Sequence, residues 1–468
     1  MKRLILFTIT LFVLVPAVSF AQQSEEDPFK RDPIFNKSLE ELFGMEQTSV
    51  DSARVESDER SDAERVARRL SYTGVDLGGG FEAGPYYSNE LYSQYPNLPM
   101  IHFNRVNGLF LGIRKERMQW HRYSSFLDIE QIHPHGFIGY GTASKDWEYA
   151  LGLEKLIGVE KRLMIGGEFH KATSTEDHDR IGLIENSITS FFASYDFQDY
   201  HQMEGFGLYA AYRTQRWIEA SFSYNRDTFR SLERNTTWSL FGKASPYRIN
   251  PAIDVGSDEI DLDRYSFALS FNPRNVLLAN RFTFAATVGA ELADNSESDE
   301  NYRYNKYWSE LKLFYNFEPG SVLRWRLKAG GITGDVPDFK QFYLGGVGTL
   351  RGSPYKYFRG DNMLLSNLEV QFGRSSSQPG VWMRDYNMHI LLFLDSGWTK
   401  DTEFVDGPVL ADGPEASATS GFSSFKFSDL HHDAGFGLGT GAFRAEIAWP
   451  LKEFDGKPAF WIRFNPTF

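Results

Sequence analysis

The chain has no cysteine among its 468 residues. Disulfides, cysteine-ligated zinc and thiol nucleophiles are therefore excluded. It also lacks a surplus of positive charge: 49 Lys and Arg stand against 62 Asp and Glu, for a formal net charge of −13. Phosphate contacts need a basic face, so no nucleic-acid partner is expected. After residue 21 there is no uncharged apolar run of about 18 residues, the length that marks a membrane-crossing helix. Any membrane span must then be made by strands. Enzyme signatures are missing too, with no Gly-x-Ser-x-Gly elbow and no His-Glu-x-x-His zinc motif. Gly345-Gly346-Val347-Gly348 lacks the Lys-Ser/Thr of a phosphate loop, and Asp254-Val255-Gly256-Ser257-Asp258 lacks the full calcium-loop pattern. His431-His432 reads as a solvated loop pair. No enzyme activity, cofactor or metal is expected.

What the chain does have is aromatic residues: 40 Phe and 23 Tyr, with Phe, Tyr and Trp together at 16%. Its mean hydropathy is nevertheless low, at −0.40. A barrel with a lipid-facing band, aromatic girdles and a polar lumen needs this combination. A soluble aromatic-rich β-protein shares it. The first residues add a compartment. Lys2 and Arg3 precede an apolar run from Leu4 to Val18, and Ser19-Phe20-Ala21 is a small-x-small site. Residues 1–21 read as a secretory signal peptide cleaved after Ala21. Residues 22–70 are polar and charged, and read as a periplasmic linker, disordered or with a short helix at Ser38-Leu39-Glu40-Glu41-Leu42-Phe43.

From about residue 72 the pattern has period two. Ile218, Ala220, Phe222 and Tyr224 share one face, opposite Glu219, Ser221, Ser223 and Asn225. Leu311 and Leu313 oppose Glu310 and Lys312, and Leu323, Trp325 and Leu327 oppose Arg324, Arg326 and Lys328. Several cations on one strand face are costly in a packed core and natural in a wet lumen. The spacing predicts about sixteen strands over 71–468. They fall at 73–83, 103–114, 136–144, 147–157, 161–171, 205–214, 217–227, 264–273, 281–292, 305–317, 320–332, 362–373, 386–398, 432–440, 442–449 and 459–468. Each is near the length of about ten residues that a tilted transmembrane strand needs. The predicted fold is all-β: a transmembrane antiparallel β-barrel, with a β-sandwich as the structural alternative. Long connections at 172–203, 228–262, 332–361 and 399–431 are expected on the outer side. Residues 183–202 break the period and read as a helical outer loop.

One long connection stands out. Gly345-Gly346-Val347-Gly348-Thr349-Leu350-Arg351-Gly352-Ser353-Pro354-Tyr355-Lys356-Tyr357-Phe358-Arg359-Gly360-Asp361 holds aromatics and two arginines among glycines. Asp395, on the lumen side of its strand, needs solvation or a cation, and either Arg351 or Arg359 is available to supply it.

Leu350-Arg351-Gly352 resembles the Val-Arg-Gly-aromatic signature of the outer-membrane assembly-factor superfamily, the BamA/TamA-like bacterial surface antigen family. Phe393-Leu394-Asp395-Ser396-Gly397 resembles that family's aromatic-x-Asp-x-Gly strand. Gly435-Phe436-Gly437-Leu438-Gly439 with Arg444-Ala445-Glu446-Ile447-Ala448-Trp449-Pro450-Leu451 resembles its penultimate hairpin. Asn104-Arg105-Val106-Asn107-Gly108-Leu109 resembles an early-strand motif of related barrels, and the chain ends in Phe468 as such barrels do. Ser353 departs from the family aromatic, with Tyr355 or Tyr357 as replacement rings. The resemblance is to a short member without the family's periplasmic POTRA modules.

The resemblance implies that the long Gly-rich loop folds into the lumen, where Arg351 pairs with Asp395 as a latch that includes Gly352 and Gly397. Lumen charges are read at Glu310, Lys312, Arg324, Arg326, Lys328, Glu369, Arg444 and Glu446. Phe460, Ile462, Phe464 and Phe468 read as a C-terminal sorting signal, recognised by strand pairing. The implied function is non-enzymatic: assembly or transport of protein or another macromolecule at the bacterial outer membrane. A passive pore or solute channel is the alternative. Expected partners are outer-membrane lipid and lipopolysaccharide, client proteins, and a POTRA-bearing or other periplasmic protein.

Overall fold

The structure, a computed structural model, describes residues 100–115, 132–157, 162–214, 218–242, 247–271, 282–295, 302–318, 321–373, 388–400, 421–440, 443–452 and 456–464. Sixteen strands form one antiparallel sheet in which each pairs with its neighbours in chain order. They are β1 (Met100–Asn104), β2 (Gly108–Lys115), β3 (Ile132–Gly141), β4 (Trp147–Ile157), β5 (Leu163–Ser174), β6 (His201–Thr214), β7 (Ile218–Ser231) and β8 (Glu259–Phe271), followed by β9 (Phe282–Asp294), β10 (Arg303–Glu318), β11 (Ser321–Asp335), β14 (Asn362–Phe372), β15 (Met388–Lys400), β16 (His431–Thr440), β17 (Phe443–Pro450) and β18 (Ala459–Phe464). Helix α1 (Leu183–Ala193) lies between β5 and β6, and a separate two-stranded ribbon, β12 (Phe342–Leu344) with β13 (Phe358–Gly360), lies between β11 and β14.

The side-chain polarity of the sheet is inverted relative to a soluble protein. On β15, Leu392 is 50% exposed while Asp395 is fully buried. On β7, Ile218 and Phe222 are exposed while Glu219, Ser221, Asn225 and Asp227 are buried. Exposed apolar residues recur around the sheet at Leu111, Leu151, Phe169, Leu208, Phe267 and Phe436. Buried charges recur on the opposite face at Glu154, Glu168, Arg264, Glu369, Glu446 and Arg463. An apolar outside around a polar inside is the polarity of a transmembrane barrel. The two ends of the sheet are brought together by α1: the N–H of Phe103 on β1 donates to Ser187 Oγ (2.7 Å), and Arg463 Nε on β18 donates to Glu185 Oε1 (2.6 Å).

Because the strands alternate in direction, the connections fall into two sets. The four longest, 175–200, 232–258, 336–361 and 401–430, all lie at one end. Both β1 and β18 open onto the other end, where β1 begins and β18 finishes.

Two sequence expectations are corrected. Residues 103–114 are not one strand but a hairpin, β1 turning into β2. The Asn104 side chain accepts the N–H groups of Val106 and Asn107 (2.9 and 2.7 Å), and Gly108 takes φ 63°, so the chain reverses while its period-two pattern runs on. The expected strand at 73–83 and helix at 38–43 lie outside the described residues. His431 and His432 are not loop residues either. They open β16, where His432 Nδ1 lies 2.8 Å from Ser396 Oγ and His431 stacks on Phe358 at 4.1 Å. The irregular stretch 183–202 is helical over α1.

The inverted polarity has a direct test. Leu208→Arg, on the exposed face midway along β6, should destabilise the barrel by about 2–4 kcal/mol in lipid vesicles, the cost of an arginine near the bilayer midplane. Reversible urea unfolding in vesicles measures it, and a change under about 0.5 kcal/mol would show that the face is wet.

Candidate functional site

The site is the loop between β11 and β14, folded back against the inner face of the sheet. Its glycines set its path. Gly345, Gly346 and Gly348 have φ of 114°, 78° and 78°, values that L side chains rarely adopt. At Gly352 an added Cβ would stand 2.6 Å from the Trp449 carbonyl carbon, so this loop backbone lies directly on β17. At Gly397 a Cβ would meet Leu344 at 2.8 Å, so β15 also needs a glycine under the loop. Leu344 and Leu350 are fully buried beside Met363 and Leu365, a small apolar anchor inside a polar lumen.

Arg351, 3% exposed, is held from several strands at once. Its Nε and Nη2 donate to the two oxygens of Asp395 on β15 at 2.7 and 2.8 Å, a bidentate fork. Nη1 donates to Glu369 on β14 (2.7 Å) and lies 3.4 Å from Glu446 on β17. The guanidinium also sits 3.5 Å from the ring centroid of Phe393. Asn367 fixes the other side of Asp395, donating to Oδ1 (2.8 Å) and to the Thr349 carbonyl (2.8 Å). Trp461 Nε1 on β18 donates to the Arg351 carbonyl (2.8 Å). Arg359 is half-exposed and lies 3.5 Å from Asp338, well apart from this cluster.

The residues read as lumen charges are drawn into the same lattice. Arg324 and Arg444 approach Glu369 at 3.4 and 3.6 Å, and Arg444 also pairs with Glu446. Arg326 Nε donates to Glu310 (2.7 Å), which lies 3.6 Å from Lys312. Arg326 and Lys328 both reach Asp179, in the connection after β5.

Sequence reasoning missed several partners. Asp433 on β16 accepts the N–H groups of Gly352 and Ser353 (2.7 and 2.8 Å) and the Ser353 hydroxyl (3.1 Å). A serine at position 353 is thus matched to an aspartate, and a lone Asp in the run Asp433-Ala434-Gly435-Phe436-Gly437 was the available signal. The connection 175–200 forms a second lock. Arg180 donates to the carbonyls of Gly345 (3.4 Å) and Tyr343, and Lys356 Nζ donates to Asp177 and Asp199, each at 2.6 Å. Tyr355 fills the space against Phe197 and donates its hydroxyl to the Phe197 carbonyl, whereas Tyr357 is exposed. Burial pushes the Tyr355 hydroxyl well above its usual range. Burial also raises the Asp199 carboxyl, but Lys356, Arg248 and Arg105 outweigh it and hold it below the usual carboxylate range. Of the C-terminal residues, Phe460 and Ile462 point outward and are exposed; Phe464 ends β18 and Phe468 lies outside the described residues.

No family model matches the chain, and no curated protein does. Solved structures similar to it include BamA from Haemophilus ducreyi lacking POTRA domains 1–3, at 14% identity over 79% of this chain and 70% of that one, with a TM-score of 0.48. CdiB from Acinetobacter baumannii is similar at 11% identity over 78% of this chain, with a TM-score of 0.39. CdiB from Escherichia coli is similar at 11% identity over 77%, with a TM-score of 0.40. The chain spans 58% and 60% of those two CdiB chains.

Two outcomes follow from this geometry. Arg351→Ala leaves three buried carboxylates without their shared cation and should cost about 3–5 kcal/mol of unfolding free energy. Arg351→Lys should recover little of it, because an ammonium cannot make the fork; urea unfolding in vesicles measures both. The second outcome concerns pH. Asp199 has a depressed carboxyl, so its contribution to loop docking is complete above its unfolded value of about 4 and is lost only as pH falls through the folded value. Hydrogen exchange of residues 345–360, corrected for intrinsic rates, should give a lower opening free energy below about pH 4 than at about pH 5, and Asp199→Asn should shrink that difference.

Proposed function

We propose that the chain is an outer-membrane barrel, exported by the signal peptide of residues 1–21, that assembles or transports protein or another macromolecule. Its action is non-enzymatic and uses the edge strands β1 and β18. The observation that carries this reading is the buried Arg351 fork. It fixes a seventeen-residue Gly-rich loop, 345–361, inside the lumen and ties it to strands β14, β15 and β17. A latch of this kind braces the scaffold next to the last strand, through Trp461 and the Arg351 carbonyl. In this proposal Arg351, Gly352, Asp395 and Gly397 keep the last strands in register while an incoming strand adds at the seam between the first and last strands. Phe460 and Ile462 belong to the outward pattern that directs the chain itself into the membrane.

The paired lumen charges weigh against a simple pore. Glu369, Arg444 and Glu446 are consumed by one another and by Arg351 rather than lining a free path. The Glu310–Lys312 pair is partly exposed, and it is the feature that favours the solute-channel alternative. Partners in this reading are outer-membrane lipid and lipopolysaccharide, client proteins, and a periplasmic protein that carries POTRA-like modules.

Depletion in cells separates the two. The proposal expects the amounts of other outer-membrane barrel proteins to fall, and Arg351→Ala to fail to restore them. Unchanged amounts would reject it. A large, steady conductance in planar bilayers that is indifferent to deletion of 345–359 would establish the channel instead.

A further inference from the structure

Helix α1 has the same inverted polarity as the strands. Its buried residues are polar: Glu185, Asn186 and Ser190. Glu185 meets Arg463 of β18, and Asn186 donates to Asp196 and Tyr200 (both 2.9 Å). Ile184, Ile188 and Phe191 follow at helical spacing on another side, Phe192 adjoins Phe191, and Tyr195 stands just beyond the helix end. Phe192 and Tyr195 are exposed. A second segment runs alongside, with Leu240 and Phe241 donating their N–H groups to the Phe191 and Phe192 carbonyls (2.8 and 2.9 Å). It adds Trp238, Leu240 and Phe241, all exposed, and Phe241 stacks on Phe192 at 6.0 Å.

The location of this patch relative to the wall is fixed by Phe103. On β1, Ile101 points outward and is exposed; Phe103, two residues on, shares that face. Phe103 is nevertheless covered, by Phe191 at 5.5 Å and Trp238 at 5.8 Å, both edge-on. The helix therefore reaches the outer face of β1 with its apolar side while its polar side faces Arg463 and the lumen. Beside it on that outer face, Ile101 pairs with Leu111 across the hairpin, and both are exposed, as is Ile113.

We infer that α1 and residues 236–242 form a piece of the barrel wall beside β1 whose exposed aromatics are covered by bilayer lipid. Lipid is the occupant because the patch continues the apolar outer band. Its aromatic composition also suits the boundary between hydrocarbon and headgroups. The inference rests on the membrane location proposed above and not on the transport role.

The absence of cysteine makes single-site labelling clean. An environment-sensitive fluorophore is attached to Phe192→Cys, Phe241→Cys or Tyr195→Cys in the full chain, folded into phosphatidylcholine vesicles with and without nitroxide-labelled lipid. Leu208→Cys reports the outer face of β6 and Asp258→Cys the aqueous loops. The expected result is blue-shifted emission at the three aromatic sites, quenched by the nitroxide lipid and protected from iodide, as at Leu208. Quenching by iodide and not by lipid at the aromatic sites, with Leu208 still lipid-quenched, overturns the inference and leaves the membrane reading intact; it would mark the patch as a protein-docking surface. An unquenched Leu208 probe would reject the membrane reading itself. Three independent sites, each checked for heat-modifiable gel mobility, keep one misfolded variant from deciding the result.

Discussion

A single buried guanidinium organises the inner face of this barrel. Taking Arg351 out of water is costly unless close opposite charges and hydrogen bonds replace its hydration. Three carboxylates do so, from three different strands: Asp395, Glu369 and Glu446. Those acids are themselves too many for one cation. Arg324 and Arg444 restore the balance, giving three arginines against three carboxylates. None of these groups is tolerable alone, so the loop that brings Arg351 and the strands that bring the acids require one another. The glycines, the Leu344–Leu350 anchor and the Asp433 contacts to Gly352 and Ser353 all deliver that one side chain to its place.

The same logic explains why the connection 175–200 is ordered around the loop. A long loop folded inward has carbonyls and tyrosines that water no longer serves. Arg180 takes two of those carbonyls, Lys356 is given two carboxylates, and Phe197 offers its carbonyl to Tyr355. The plug is thus two interlocked loops rather than one. Movement of the 345–361 loop would have to release both the strand-borne fork and the contacts to 175–200. A loop held by two independent sets of contacts opens rarely unless something replaces its partners.

Much of the fold was legible because alternation on a strand is local. Ile218 to Asn225 or Glu310 to Lys328 declare their two faces without reference to anything distant. The polarity of the faces also says which side is wet. The Arg351–Asp395 contact was legible only through resemblance, since spacing left Arg359 equally open. The hairpin at 105–107 escaped because a three-residue turn between two alternating strands leaves the period unbroken. Only the Asn104 side chain and Gly108 betray it. Asp433, Arg180 and the Glu185–Arg463 pair were hidden for a different reason: each bond joins residues far apart in the chain, and a lone charge in a strand does not name its partner.

Among the described residues, the first and last strands of the sheet are linked through α1. Long ladders join the other strands; β10 and β11, for example, pair from Arg303–Asp335 to Glu318–Ser321. Among the described residues, β1 and β18 contribute five and six residues to the sheet. Across them lies a helix, which has no spare backbone groups to offer a strand except at its ends. Its hold is therefore through side chains: a serine hydroxyl on the Phe103 N–H, a glutamate on Arg463, and aromatic rings over Phe103. Side-chain contacts can be exchanged one at a time, whereas a ladder is lost or kept as a unit.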